Sequence, residues 1–370
     1  MRFKQFQDNW SSKRLSDIAE VVGGGTPDTT DSTLWNGGIQ WFTPTEVGHS
    51  KYVSMSARTI SQLGLQKSSA KILPAGSILL SSRATVGECS ITQKDCTTNQ
   101  GFQNLIPKKG INNEFLYYLA QTQKRHFIKY ASGSTFLEIS NSEIKKTKCA
   151  IPSIEEQTEI ATFLSSIDRK IEVQNKIISK YETLIKGIRE RIVNCGWQWK
   201  KLDELIQEGV VRLNRGNIIP KHPKDNTYKY PVYSSSTQNN GLMGYNDTYM
   251  FDKELITWSI DGGGNFFYRK KHKFNVTNVC GIMQVDENVY SYRFIAEMLI
   301  YQHSKMKFDY QSKAHPSVIS SLYSLPCLHI SEQNFYCQLF IVLDKKMHIE
   351  QCSLNKLKEQ KKYLLSKMFI

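Results

Sequence analysis

The sequence predicts an α+β protein in which two similar globular domains each lead into a long helix, with the two helices pairing as an antiparallel coiled coil. Three observations predict this fold class. The chain has 370 residues, more than one ordinary domain needs. Its sequence repeats, and each repeat changes partway from turn-rich to helical sequence. We expect the globular domains at 1–152 and 196–328 and the long helices at 153–195 and 329–370.

The internal repeat is visible at two places. Near the start of each half, the sequence KRLSDI at 13–18 returns as KKLDEL at 200–205. At the start of each predicted helix, IEEQ at 154–157 returns as ISEQ at 330–333. A repeat of this length predicts two units of one architecture.

The first part of each repeat has the composition of a mixed α+β globule. It is rich in Gly, Ser, Thr and aromatic residues, with β-prone runs such as 40–43 and 78–80 between turn signals such as GGGTP at 23–27. Residues 113–121 predict a short helix. The hydrophobic fraction of 40% and the charged fraction of 22% are those of a folded globular chain.

The second part of each repeat predicts a long helix with a coiled-coil seam. Ser153 stands three residues before Glu156, the spacing of a capping box at a helix start. Apolar residues then alternate in steps of three and four over about four heptads. The seam positions are Ile167, Ile171, Ile178, Ile185 and Ile188 in the first helix and Leu343, Met347, Leu354, Leu357 and Leu364 in the second. Both seams carry a polar residue at the same place, Gln174 and Glu350.

The most accessible partner for each seam is the other helix of the same chain, because linked partners have a high effective concentration. A pseudo-twofold relation between the halves would make the helices antiparallel and place one globule at each end of a rigid spacer. A helix of about 40 residues is about 60 Å long, at about 1.5 Å per residue. Two unrelated amphipathic surface helices are the alternative.

Charge and composition narrow the class of function. The chain has 48 Lys and Arg against 34 Asp and Glu, a net charge of +14, and both halves share the surplus. A surplus of this size favours a polyanion, with nucleic acid the leading partner. No apolar run is long enough to span a membrane and the N-terminus has no signal-peptide core, so we expect a cytoplasmic protein. The eight cysteines are scattered, which predicts free thiols and no metal site. We also expect no bound cofactor, since the sequence has neither a P-loop nor a dinucleotide fingerprint.

The sequence offers no catalytic constellation. It has no glycine loop followed by Lys-Ser or Lys-Thr, and its GGG runs lack the spacing of a dinucleotide fingerprint. It also has no polar-Pro-Pro-aromatic loop of a base methyltransferase. The acids beside lysines at 168–170 and 344–346 fall on the predicted helices, where solvated charges are the simpler interpretation. We therefore expect no active site.

These features together resemble the specificity subunit of type I restriction-modification systems. The resemblance rests on the repeated order of globule and long helix, on KRLSDI with GGTP at 24–27, and on LLSSRATVG at 79–87. Further matching motifs are TNQGF at 98–102 and Ile151-Pro152 ahead of EEQ. The resemblance covers essentially the whole chain. The second half departs from the pattern, with DGGG at 261–264 where RATVG would align, and with PCL at 326–328.

The resemblance implies a non-catalytic subunit that binds double-stranded DNA. Each globule would be a target-recognition domain reading one half of a split sequence. The helices would fix the gap and dock two modification subunits, whose chemistry uses S-adenosylmethionine, while restriction subunits would add ATP-driven cleavage. A spacer between two basic modules fits the same function, because its length sets the half-site separation.

Candidate DNA contacts are loop residues able to meet phosphates or base edges. Arg83 is the strongest candidate for a DNA contact. The alternative is that Arg83 is an ordinary surface arginine. The 269–273 run is either a contact or a solvated hairpin, and Lys313 stands where the first module has its Gly-Ser loop. The full set is Thr43, Ser82, Arg83, Asn99, Gln100, Gly133 and Ser134 in the first module and Ser234, Ser235, Asn239, Arg269, Lys270, Lys271 and Lys313 in the second.

Two other functions remain open on the sequence. A freestanding two-module protein that binds RNA or single strands would need base-stacking aromatics in its globules, but the apolar spacing of most candidates indicates core positions. A coiled-coil scaffold with incidental positive charge would show binding insensitive to salt and no preference for duplex DNA.

Overall fold

The computed structural model describes residues 2–133, 137–219, 228–236, 238–261, 263–306 and 313–369. The chain divides into two compact units. Unit 1 comprises Met1–Val173 and Ser353–Ile370, and unit 2 comprises Gln174–Cys352. Each long helix therefore contributes residues to both units. Within the described residues, no helix is long and apolar enough to cross a membrane.

Unit 1 is a mixed α+β globule joined to parts of the two long helices. Its strands are β1 (Ser11–Arg14), β2 (Ala19–Gly23), β3 (Trp35–Phe42), β4 (Tyr52–Val53), β5 (Arg58–Ile60), β6 (Ile78–Leu80), β7 (Cys89–Thr92), β8 (Cys96–Thr98), β9 (Gln103–Pro107) and β10 (Lys148–Ile151). Its helices are α1 (Leu15–Ile18), α2 (Gln62–Gln66), α3 (Asn113–Thr122), α4 (Lys124–Tyr130), α5 (Asn141–Lys146) and the first part of α6 (Ile154–Val193).

The strands of unit 1 form three sheets. One has the order β2-β9-β6-β7-β4, the second β5-β3-β8, and β1 pairs with β10 alone. Asn112 caps the start of helix α3, and its side chain accepts a hydrogen bond from Phe115 N. It packs against β6 and β7 and buries Phe115 and Tyr118 in a core shared with Ile78 and Leu80.

Unit 2 contains one large sheet. Its strands are β11 (Trp199–Lys201), β12 (Val211–Arg215), β13 (Tyr230–Tyr233), β14 (Leu242–Asn246), β15 (Phe251–Ser259), β16 (Phe266–Val276), β17 (Cys280–Val285) and β18 (Ser324–Pro326). Its helices are α7 (Leu202–Gln207), α8 (Tyr292–Lys305), α9 (Pro316–Leu322) and parts of α6 and α10 (Ile330–Met368). The sheet has the order β12-β17-β15-β16-β13-β14, and β11 pairs with β18. Helix α8 packs on β15 and β16 over a core that includes Trp258 and Phe294.

The internal repeat corresponds to shared structure at the start of each unit. A short strand, β1 or β11, leads directly into a short helix, α1 or α7, and pairs with the last strand before a long helix. The Asp17 carboxylate accepts a hydrogen bond from Arg14 N at 2.8 Å, and the Glu204 carboxylate accepts one from Lys201 N at 3.3 Å. The two halves differ in their sheets, because unit 1 divides its strands where unit 2 has one continuous sheet.

A buried glutamine at the start of each long helix repeats with all of its contacts. Gln157 Nε2 donates to Pro152 O at 3.0 Å, and its Oε1 accepts from Asn112 N at 3.0 Å. Gln333 Nε2 donates to Leu328 O at 2.9 Å, and its Oε1 accepts from Ser291 N at 3.0 Å. Each glutamine thereby ties a long helix to the start of the shorter helix, α3 or α8, that packs beside it.

The two long helices pair antiparallel, which confirms the predicted coiled coil. In unit 1, Leu364 packs in the same core as Leu164 and Ile167, and Lys361 Nζ lies 2.7 Å from the Asp168 carboxylate. In unit 2, Ile185 shares a core with Leu343. The early part of α6 therefore meets the late part of α10, and the reverse.

The predicted seam positions are buried or half-buried. Buried are Ile167, Ile178, Ile185, Leu343, Leu354 and Leu364, and half-buried are Ile171, Ile188, Met347 and Leu357. The two polar seam residues meet: Gln174 Nε2 donates to Glu350 O at 3.2 Å and also to the Glu350 carboxylate.

Candidate nucleic-acid interface

Two of the predicted DNA-binding segments of unit 1 lie side by side, and the segment 137–139 adjoins them. Ser82 N donates to Gly101 O at 2.8 Å, and Ser82 O accepts from Ile139 N at 2.9 Å. Ala84 N donates to Leu137 O at 3.1 Å. Main-chain hydrogen bonds thus join the loop 81–87, the turn 99–101 and the segment 137–139.

Thr43, Asn99 and Gln100 extend the same cluster. Asn99 N donates to Phe42 O at 3.0 Å, which places the turn 99–101 beside Thr43 at the end of β3. The Asn99 side chain accepts a hydrogen bond from Gly101 N at 2.9 Å, so it shapes its own turn. The Thr43 hydroxyl donates to the Glu46 carboxylate at 2.6 Å, and Gln100 accepts from the Thr26 hydroxyl. Gln100 is exposed and the other two are half-buried.

The side chains of the loop 81–87 divide between the interior and the surface. Ser82 is fully buried, and its hydroxyl has no hydrogen-bond partner within the described part of the chain. The Arg83 side chain is 47% exposed and its Nε lies 3.8 Å from a Glu138 carboxylate oxygen. Gly133 is exposed, whereas Ser134 lies outside the described residues. Arg83 is therefore available to a ligand, while the Ser82 side chain is covered and its main chain positions the loop.

Unit 2 has the same main-chain arrangement around different side chains. Ile260 N donates to Val279 O at 3.0 Å and Ile260 O accepts from Ala314 N at 2.9 Å, as Ser82 does with Gly101 and Ile139. Asp261, the residue after Ile260, therefore stands where unit 1 has Arg83.

The turn that begins the loop is also repeated. In unit 1, Ser81 N donates to Glu88 O at 2.8 Å and Ser81 O accepts from Gly87 N at 2.9 Å. In unit 2, Ser259 N donates to Asn265 O and Ser259 O accepts from Gly264 N, both at 3.1 Å. The second loop is one residue shorter between these contacts, and both glycines have a positive φ, 85° for Gly87 and 78° for Gly264.

Ser234, Ser235 and Lys313 lie close to this second loop. Ser259 Oγ donates to Ser235 O at 2.7 Å, and Thr277 Oγ1 donates to Ser234 Oγ at 3.1 Å. Lys313 is exposed, with its Nζ 3.5 Å from an Asp261 carboxylate oxygen. Asn239 is exposed further along the loop between β13 and β14, with a left-handed φ of 49°.

Arg269 does not belong to a solvated charge run. It is 4% exposed, its Nε donates to Thr257 Oγ1 at 3.0 Å, and its guanidinium carbon lies 3.7 Å from the centre of the Tyr233 ring. Burial lowers the pKa of this guanidinium to about 10. Its Nη2 has no hydrogen-bond partner among the described residues. Lys270 and Lys271 follow it on β16 and are exposed, so the solvated interpretation describes these two and not Arg269.

Comparison with known proteins identifies the family. The sequence model of a family described as the type I restriction modification DNA specificity domain matches twice, over residues 7–183 and 194–322. The two matches cover most of the chain. The chain belongs to this family.

The relatives of this specificity-domain chain are specificity subunits. The MjaIX specificity subunit of Methanocaldococcus jannaschii is 41% identical over 54% of this chain and 52% of its own length. The EcoR124I/EcoR124II specificity subunit of Escherichia coli is 26% identical over 50% of each chain. The chain thus spans about half the length of these curated relatives. The crystal structure of a type I restriction-modification S subunit from M. genitalium has the same fold, with a TM-score of 0.65 at 17% identity over 100% of this chain and 99% of that one.

Two residues of this specificity-domain chain that were not predicted as contacts lie beside predicted ones. Glu138 and Asp261 each face a basic candidate, Arg83 and Lys313. The internal repeat could have revealed them. When the two halves are aligned through these loops, Arg83 aligns with Asp261 and Glu138 aligns with Lys313, so the charge is opposite at both positions. Among the described residues, no cluster of three or more His, Cys, Asp or Glu could hold a metal ion.

Proposed function

We propose that this chain is a non-catalytic specificity subunit of a type I restriction-modification system, which recognises a split target in double-stranded DNA. Residues 1–152 and 196–328 would be the two target-recognition domains, and 153–195 and 329–370 the spacer helices. In the cytoplasm, two modification subunits would bind the chain, and restriction subunits would join them. The observation that carries the proposal is the repeated loop arrangement, found once in each part of the chain that the DNA specificity family matches.

The exposed loop side chains would make the DNA contacts. Arg83, Gln100 and the Gly133 loop serve the first domain, and Asn239, Lys270, Lys271 and Lys313 the second, with the half-buried Thr43, Asn99, Ser234 and Ser235 beside them. Amide side chains can read base edges, while basic groups and glycine amides suit phosphates. The buried Ser82 and Arg269 would hold the loops in place. The net charge of +14 supports a polyanionic partner.

The test is to co-express the chain with a modification subunit of the same type of system and map adenine methylation on a plasmid by single-molecule sequencing. We expect a motif of two defined half-sites around a fixed gap. A modification subunit expressed alone is the control and should methylate no such motif. Methylation without a split motif, or no complex between the two proteins, would refute the proposal and favour a freestanding nucleic-acid binder or a scaffold.

Two substitutions assign the half-sites to the two domains. Gln100→Ala is expected to relax one half-site, and Asn239→Ala the other, with the gap unchanged, because each side chain is exposed in a different unit. Losing one good base contact reduces discrimination at that base pair by about 1 to 3 kcal/mol. If both variants altered the same half-site, the assignment of one half-site to each domain would be wrong.

A further inference from the structure

The two units carry the same ion pair with its charges exchanged. In unit 1 the loop residue is basic and the facing residue is acidic, Arg83 and Glu138, separated by 3.8 Å. In unit 2 the loop residue is acidic and the facing residue is basic, Asp261 and Lys313, separated by 3.5 Å. The main-chain hydrogen bonds of Ser82 and Ile260 establish that the positions correspond.

Neither pair has the geometry of a strong stabilising contact. All four side chains are between 38% and 63% exposed, and exposed ion pairs contribute little to stability because water and salt screen them. Neither Arg83 nor Lys313 donates a hydrogen bond within the described part of the chain, so their N–H groups remain free for another acceptor. Each ion pair therefore holds a basic group between two adjoining segments and leaves its N–H groups able to bind another acceptor.

We propose, on the basis of the proposed function, that Arg83 and Lys313 bind a DNA phosphate from corresponding positions in the two domains, and that Glu138 and Asp261 orient them before DNA binds. A phosphate oxygen can replace the carboxylate oxygen, since both are anionic acceptors for the same N–H groups. Fixing the basic side chain in advance reduces the entropy lost on binding. The basic residue is on the loop in one domain and on the facing segment in the other. We therefore infer that phosphate binding requires a positive charge at this position, whichever segment supplies it.

The salt dependence of DNA binding tests this assignment. Each phosphate contact contributes about 0.9 to the slope of log K against log salt concentration. Arg83→Gln and Lys313→Gln, each in the full chain bound to its modification subunit, should lower that slope by about 0.9 and weaken binding about fivefold. The loss should be equal for a duplex carrying the mapped target and for one with both half-sites scrambled. Lys109→Gln, an exposed lysine at the opposite end of β9 from the turn 99–101, is the matched control for one lost charge and should leave the slope unchanged.

Exchanging the charges in unit 1 tests whether the position is shared. Arg83→Glu alone places two carboxylates at the position and should weaken binding by more than Arg83→Gln. The double variant Arg83→Glu/Glu138→Arg recreates the polarity of unit 2 and should restore both the slope and the affinity to within about threefold of the original chain. Failure of the double variant to recover, with Arg83→Gln still lowering the slope, would overturn the shared position. An unchanged slope in both glutamine variants would overturn the phosphate contact.

The outcome is distinguishable from failure of the proposed function. If the complex methylates a split motif, the specificity role stands whatever the salt slopes of the variants are. If complexes containing either glutamine variant methylate the same motif as the original complex, the substitutions have lowered DNA affinity without changing sequence recognition. A phosphate contact requires this result. A changed motif in either variant would overturn the inference, because it would make that residue a base-reading one.

Discussion

Replacing Gln333 by methionine should lower the free energy of unfolding of unit 2, because it removes all the hydrogen bonds of a buried side chain. Gln333 is fully buried, and its side chain joins three main-chain groups: Nε2 donates to Val289 O at 2.8 Å and Leu328 O at 2.9 Å, and Oε1 accepts from Ser291 N at 3.0 Å. Methionine has a similar length and no hydrogen-bonding amide. The substitution therefore leaves all three main-chain groups without this partner, and changes little else.

The magnitude follows from those three contacts. A net contribution of about 1 kcal/mol for each hydrogen bond gives about 3 kcal/mol, and leaving the N–H of the half-buried Ser291 unpaired adds up to about 2 kcal/mol. We expect unit 2 to lose about 3 to 5 kcal/mol of its free energy of unfolding. That loss is large for a single substitution, because most substitutions outside such sites cost far less.

Hydrogen exchange with mass spectrometry across a urea series measures the effect unit by unit. Peptides from β15 to β17 report on unit 2, and peptides from β6 to β9 report on unit 1. Gln338→Met on the exposed side of α10 makes the same chemical change without these contacts and should stay within about 0.5 kcal/mol of the original chain. Equal effects of the two substitutions on unit 2 would refute the hydrogen-bond argument.

Three further perturbations have predictable results. Gln174→Leu together with Glu350→Leu should raise the free energy of unfolding by about 1 kcal/mol in urea titrations, because an apolar pair replaces a partly buried polar one; a lower value would mean that the polar pair is stabilising. Ala84→Gly should raise the stability of unit 1 by up to about 1 kcal/mol, since Ala84 has a left-handed φ of 63° that a Cβ disfavours; a loss, measured by the same exchange method, would mean that the alanine is unstrained. His303→Gln should flatten the fall in stability of unit 2 below about pH 6.5. Burial lowers the pKa of His303, so the folded state favours the neutral imidazole; this stability is complete above the ordinary pKa and is lost as the pH falls below it. Urea midpoints of unit 2 that change equally with pH in both proteins would contradict this.

The features that the sequence predicted well depend on neighbours along the chain. The long helices follow from a three-four spacing that lies within single segments, and the structure places them at Ile154–Val193 and Ile330–Met368. The short helix predicted at 113–121 is α3, Asn113–Thr122. Strand order was not predictable in this way, because β2 pairs with β9 and β12 with β17 across long stretches of chain. Such pairings are chosen by packing of the whole sheet.

Arg269 illustrates how tertiary packing overrides a local pattern. In the sequence it opens a run of basic residues, and such a run is typical of a solvated surface. In the structure it lies opposite Leu255 near an irregularity in the β15–β16 pairing, and its side chain is covered by Tyr233. Neither the irregularity nor the ring that covers it can be read from the local pattern. Its exposed neighbours Lys270 and Lys271 fit the sequence pattern.

The proposed function requires two domains of one chain to read different DNA sequences, and the repeated loops provide a structural basis for this. Corresponding main-chain hydrogen bonds position each loop: Ser82 and Ile260 make them although one side chain is polar and the other apolar. Side chains at the following position can therefore change sign, as Arg83 and Asp261 do, without moving the backbone. A loop fixed in this way tolerates substitutions at exposed positions, because a surface substitution away from a buried network alters stability little. Under the proposed function, exposed residues of a domain can therefore change the half-site that it reads while its fold stays constant.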